Sequence, residues 1–138
     1  MSVEENAALG RAFFEAQDRL RGGPDPDLCL ASYQAHIGSH PPMTLTQHQE
    51  FAKAFYTGFP DLSHTIEETV AGRERVAVRF TLRGTHQGDF LGTPATLQSF
   101  VVGAMAIFRI AGGKIAEIAE VHGQFDQFGM MRQLGVIP

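Results

Sequence analysis

Residues 75–86 read RVAVRFTLRGTH. Apolar and polar side chains alternate through this run. Val76, Val78, Phe80 and Leu82 fall on one face, and Ala77, Arg79, Thr81 and Arg83 on the other. A period of two marks a β-strand that turns one face to a core and the other outward. Upstream, HTIEETVAG (64–72) reads as a strand leading into a turn near Gly72. Downstream, QGDFLGTPAT (87–96) carries two glycines and a proline, the composition of a long connection between antiparallel strands. A further strand is expected over Leu97–Ile110, and AGGK (111–114) makes a tight hairpin into IAEIAEVHG (115–123).

That last stretch also alternates, with a complication. Ile118, Glu120 and His122 share one face by parity, and Ile115, Glu117, Ala119 and Val121 share the other. Each face carries a carboxylate, so alternation alone does not say which faces the core.

The N-terminal half has a different period. Leu9, Phe13, Ala16 and Leu20 follow helical spacing up to Gly22-Gly23-Pro24. A second short helical segment is expected from about Asp27 to Ala35, followed by a loop, HIGSHPPM (36–43). A third helix opens with Thr46 and Gln49 at capping-box spacing, repeats Phe51, Phe55 and Tyr56, and ends at Gly58 and Pro60. The tail, QFDQFGMMRQLGVIP (124–138), reads as a short helix with Phe128, Met131 and Leu134 inward and Gly135 at its end. Helices first and a meander of strands afterwards is an α+β arrangement. A sheet with its helices on one face curls around them and leaves room for a cavity.

The 138 residues make one domain, 1–138. A net charge of −4 without a Lys/Arg run excludes the usual nucleic-acid binder. The acidic N-terminus is unlike a signal peptide and no apolar run is long enough to span a membrane, so a cytoplasmic protein is expected. Cys29, the single cysteine, allows no intrachain disulfide and reads as a buried inert thiol. Eleven phenylalanines can line either a core or an apolar pocket.

Four separated strings carry a family likeness: FYTGFPDL (55–62), RGTHQGDFLGTPAT (83–96), FRIAGGKIAE (108–117) and FGMMRQLGVIP (128–138). In this order they resemble the SnoaL-like polyketide cyclases, or ester cyclases, of the nuclear transport factor 2-like superfamily. The resemblance runs from Ala12 to Pro138. It implies a cone-shaped, curved antiparallel sheet wrapped around the N-terminal helices, with a deep apolar pocket. It also implies a homodimer paired through the outer face of the sheet, with Arg79 and Thr81 there, and chemistry without cofactor or metal on a small hydrophobic carbonyl compound.

The family's acid/base Asp corresponds to Glu120, placed inward by the family register, with Glu117 outward. His122 beside it is the second catalytic candidate. Two positions depart from the family: the Trp before the acid is Ala119, and the His or Asp fourteen positions earlier is Ala106. Ser39-His40 falls at the pocket mouth, and His86 matches the family string. His40, His86, Tyr33, Tyr56, Phe80 and Met105 are therefore the candidate substrate-binding residues. His36, His48 and His64 read as surface. In a low-dielectric pocket a single carboxylate can move a proton next to a carbonyl, with a gain of about 10²–10⁴-fold. The same cavity could instead hold an apolar ligand without chemistry, and the two departures favour that alternative.

Overall fold

The computed structural model describes residues 2–121 and 127–137; of residues 119–121, 127 and 128 it describes the backbone alone. Helix α1 spans Val3–Leu20 and opens on a capping box between Ser2 and Glu5. Its buried side is Asn6, Gly10, Phe13, Phe14, Ala16 and Gln17. Gly10 lets the helix lie close on the sheet, since a Cβ there would stand 2.8 Å from Cγ1 of Val76.

After a 3₁₀ turn over Pro26–Leu28 comes β1, Cys29–Ala35, and not the helix expected for this segment. Leu, Ala and Gln are good helix formers, and here tertiary pairing overrides propensity. The strand buries Cys29, Tyr33 and Ala35 and leaves Gln34 exposed between them. The two-residue strand β2, Met43–Thr44, borders it. Helix α2 follows over Leu45–Gly58. Its capping box is Thr44 with Gln47, two residues earlier than the expected Thr46–Gln49 pair.

Strands β3 (Ser63–Ala71), β4 (Arg75–Thr85), β5 (Ser99–Ala111) and β6 (Lys114–Val121) form the meander. The β5–β6 hairpin turns at Gly112 and Gly113, both at positive φ (57° and 75°). The final helix α3, Gln127–Gln133, ends near Gly135 at φ 79°. It buries Met130 and Leu134, with Met131 partly buried.

The six strands make one curved, open sheet in the order β2-β1-β6-β5-β4-β3. All neighbours are antiparallel except β1 and β6, which run parallel. The sheet is therefore mixed, because the misread strand β1 joins it beside the last one. The alternation in RVAVRFTLRGTH holds: Val76, Val78, Phe80, Leu82 and His86 are buried, while Arg79 and Arg83 are exposed. Helix α1 lies on β3 and β4, α2 on β1, and α3 on β5. The core between them is largely aromatic. Phe13 meets Phe108 edge-on at 4.9 Å, Phe14 meets Phe80 at 4.4 Å, and Phe59 meets Phe90 and Phe100 at about 5 Å.

Candidate functional site

The strand β6 that carries the expected acid is bulged twice. Glu117 pairs with Arg109, yet Ile115 pairs with Ile110, so Ala116 is an extra residue. Ile118 pairs with Phe108, yet Glu120 pairs with Ile107, so Ala119 is another. The bulges explain why Ile115, Ala116 and Ile118 are all buried, a pattern that no strict alternation allows. Parity counted from Ile118 does not carry to Glu120. The Cα partner of Glu120 is Ile107, while Ala106, the expected partner position, faces Val121. The side chain of Glu120 and the whole of His122 lie outside the described residues.

Glu117 has a structural part. Its carboxylate accepts from Nε of Arg109 at 2.9 Å and contacts Nε2 of His36 at 3.2 Å. The Arg109 hydrogen bond outweighs burial and, with His36, holds its pKa below the usual carboxylate value.

His86 is fully buried at 0% exposure. Its Nδ1 receives the Thr96 backbone N–H at 3.3 Å and lies 3.0 Å from the Thr96 hydroxyl. An atom that accepts a backbone N–H carries no proton, so the ring hydrogen sits on Nε2, and that atom is buried without a partner among the described residues. The backbone of His86 also pairs with Gln98 and Leu97. Together these contacts clip the loop 87–97 to the end of β4.

The two phenols are already paired. Tyr33 Oη lies 2.8 Å from Nδ1 of His48, and Tyr56 Oη donates to Asp18 at 2.7 Å. Asp18 also accepts both the backbone N–H and Nδ1 of His64, each at 2.7 Å. Burial acts to raise the Asp18 pKa, but the hydrogen bonds and charge of His64 and the Tyr56 hydroxyl outweigh it and lower the net value. His48 and His64, read from sequence as surface residues, are both drawn inside. His48 is 5% exposed and the His64 side chain 9%. Each had a periodic signal: His48, Ala52 and Tyr56 repeat every four residues on α2, and His64 sits opposite buried Leu82.

Phe80 packs on Phe14 and on His64 at 5.3 Å, within the core. Met105 does not line the interior. It stands on the outer face of β5 opposite Arg79, 36% exposed, because the buried positions of β5 are the even ones. His40 is exposed and meets Phe51 edge-on at 5.0 Å. From Phe51, half-buried rings continue through Phe55 (5.3 Å) to buried Phe90 (4.8 Å). His40 thus stands at one end of an aromatic row along α2, with partly buried Ile37 and Met43 in the loop and strand preceding the helix. Among the described residues, no helix is long and apolar enough to cross a membrane.

The family model for SnoaL-like polyketide cyclases matches residues 26–134. Among curated proteins no match is found. Solved structures match over nearly the whole chain. A protein of Jannaschia sp. CCS1 assigned as a SnoaL-like polyketide cyclase superposes with a TM-score of 0.81 at 21% identity, covering 99% of this chain and 95% of that one. TsrD of Streptomyces laurentii has a TM-score of 0.79 at 25% identity, covering 99% of each chain. IdmH of Streptomyces antibioticus, assigned as a polyketide cyclase, has a TM-score of 0.72 at 26% identity and 96% coverage of each chain.

Proposed function

Because the chain belongs to the SnoaL-like polyketide cyclase family, we propose that it is a cofactor-independent acid/base enzyme of the cyclase or isomerase type. It acts on a small, hydrophobic, polyketide-like carbonyl compound. The ligand sits in an apolar pocket on the concave side of the sheet, with His40 at its mouth. Glu120 moves the proton and His122 assists. The observation that carries this reading is the family match itself, which spans the strand bearing Glu120.

The second reading, a binding protein without chemistry, is favoured by one feature, the alanines at 106 and 119 where the family carries catalytic neighbours. Thermal-shift screening with hydrophobic ketones and enones, followed by product analysis of each stabilising compound, separates the two. Conversion during incubation supports the enzyme. Recovery of every stabilising compound unchanged supports the binder and overturns the enzyme.

The protein pairs with a second copy through the outer face of the sheet. Val101 (51% exposed) and Met105 form an apolar strip there, beside Arg79, Thr81 and Arg83.

A further inference from the structure

Tyr33 on β1 and His48 on α2 form an enclosed pair, 1% and 5% exposed. Their rings are parallel within 4° at 6.0 Å, and Phe13 and Phe51 lie 6.4 and 6.5 Å from the imidazole. The hydrogen bond between them fixes who holds the protons. If Nδ1 were the donor, the Tyr33 hydroxyl hydrogen would be buried with no acceptor among the described residues, at a cost of about 1–3 kcal/mol. The hydroxyl therefore donates to Nδ1, and the ring hydrogen of His48 resides on Nε2. Burial keeps the pair neutral, since desolvation lowers the His48 pKa to about 4 and raises that of Tyr33 well above its ordinary value.

Nε2 of His48 has no protein partner among the described residues. Among the described residues, the unpartnered side-chain atoms that protein seals completely are Asn6 Oδ1 and His86 Nε2. Nε2 of His48 is not one of them, so it keeps some accessible surface.

We propose that Nε2–H of His48, its tautomer set by Tyr33, is a neutral hydrogen-bond donor to a ligand's carbonyl oxygen. The catalytic half of this assignment rests on the acid/base reading above. When the α C–H bond breaks, the proton passes to the enzyme carboxylate and the electron pair moves onto the carbonyl oxygen. The enolate oxygen then accepts a stronger hydrogen bond from Nε2–H, which keeps its proton. A neutral donor whose tautomer is already fixed stabilises the developing charge without reorganising. No covalent bond to the protein is made.

Two measurements on the labelled full chain test this. Long-range ¹H–¹⁵N correlation between pH 6 and 8 should show His48 Nε2 protonated and Nδ1 bare; the reverse overturns the proposal. Binding of 1-acetylnaphthalene is then compared with 1-isopropenylnaphthalene, which replaces C=O by C=CH₂. The ketone should bind about three- to tenfold more tightly and shift the His48 Nε2–H resonance. Tyr33→Phe should erase most of that preference while leaving the alkene's affinity within about twofold. Equal affinities, binding of neither compound, or an unmoved Nε2–H signal would overturn it. Deuterium uptake into the ketone's methyl group is read in parallel. A retained ketone preference without uptake leaves the donor assignment standing and removes the acid/base reading.

Discussion

Asp18 and His64 are joined twice: Oδ1 of the carboxylate lies 2.7 Å from the imidazole Nδ1, and Oδ2 lies 2.7 Å from the His64 backbone nitrogen. Tyr56 adds a third hydrogen bond from α2, so one carboxylate ties α1, α2 and β3. Phe14 and Phe80 cover the imidazole at 5.0 and 5.3 Å. Removing the carboxylate leaves three donors to rehydrate or go unpaired. Asp18→Ala should cost about 2–4 kcal/mol in urea unfolding, against within about 0.5 kcal/mol for an exposed control such as Glu15→Ala.

The same carboxylate sets a pH dependence. Its folded pKa lies below the ordinary value of 3.8, so the folded state binds its proton less readily than the unfolded state. The stability this contributes is complete above the unfolded pKa and is lost as pH falls through the lower folded value. Unfolding followed from pH 6 to pH 2 should show a steep loss in the wild type, and Asp18→Asn should flatten part of it.

Thr96 anchors the loop 87–97 through the His86 ring. Thr96→Val removes the hydroxyl but keeps the backbone N–H bond to Nδ1. The expected cost is about 1–2 kcal/mol, with faster amide exchange confined to the loop. Exchange that rises uniformly across the sheet would mean the clip is not local.

Gln133 of α3 holds Val101 with both ends of its amide: the Val101 N–H donates to Oε1 at 2.8 Å, and Nε2 donates to the Val101 carbonyl at 3.1 Å. Among the described residues, β6 pairs with β5 over Ala106–Ala111, and at Val101 the amide makes the two backbone contacts a neighbouring strand would. Gln133→Ala should raise the Val101 amide exchange rate by about tenfold while leaving Met130 and Leu134 packed.

The outer strip makes the dimer testable. Met105→Glu places a charge opposite Arg79 at the centre of the exposed face. Light scattering should find a dimer for the wild type and a monomer of unchanged melting behaviour for the variant. A monomeric wild type would contradict the pairing.

Much of this molecule was legible in its sequence, and the misreadings have physical causes. Strand β4 announced itself through clean alternation, since one of its faces is buried along its length. Segment 29–35 did not, because Leu, Ala and Gln carry helical propensity and the strand exists through its pairing with β6 and β2. Alternation failed in β6, where two bulges each insert a residue and reset the faces. By residue type His48 and His64 read as surface, although both stand at inward positions of their own periodicities. Polar side chains go inside when a partner waits there, and those partners, Tyr33 and Asp18, are fifteen and forty-six residues away. Hydrophobicity groups Met105 with the interior, against the parity of its strand.

The central claim is proton transfer at Glu120, and the most direct measurement is deuterium incorporation from D₂O into the methyl group of 1-acetylnaphthalene, followed by NMR with wild type and Glu120→Gln side by side. Wild type should exchange the methyl protons faster than buffer, and the variant should lose about 10²-fold or more of that rate while binding the ketone and melting as before. Equal rates for the two proteins, or no exchange above buffer for either, would contradict the account.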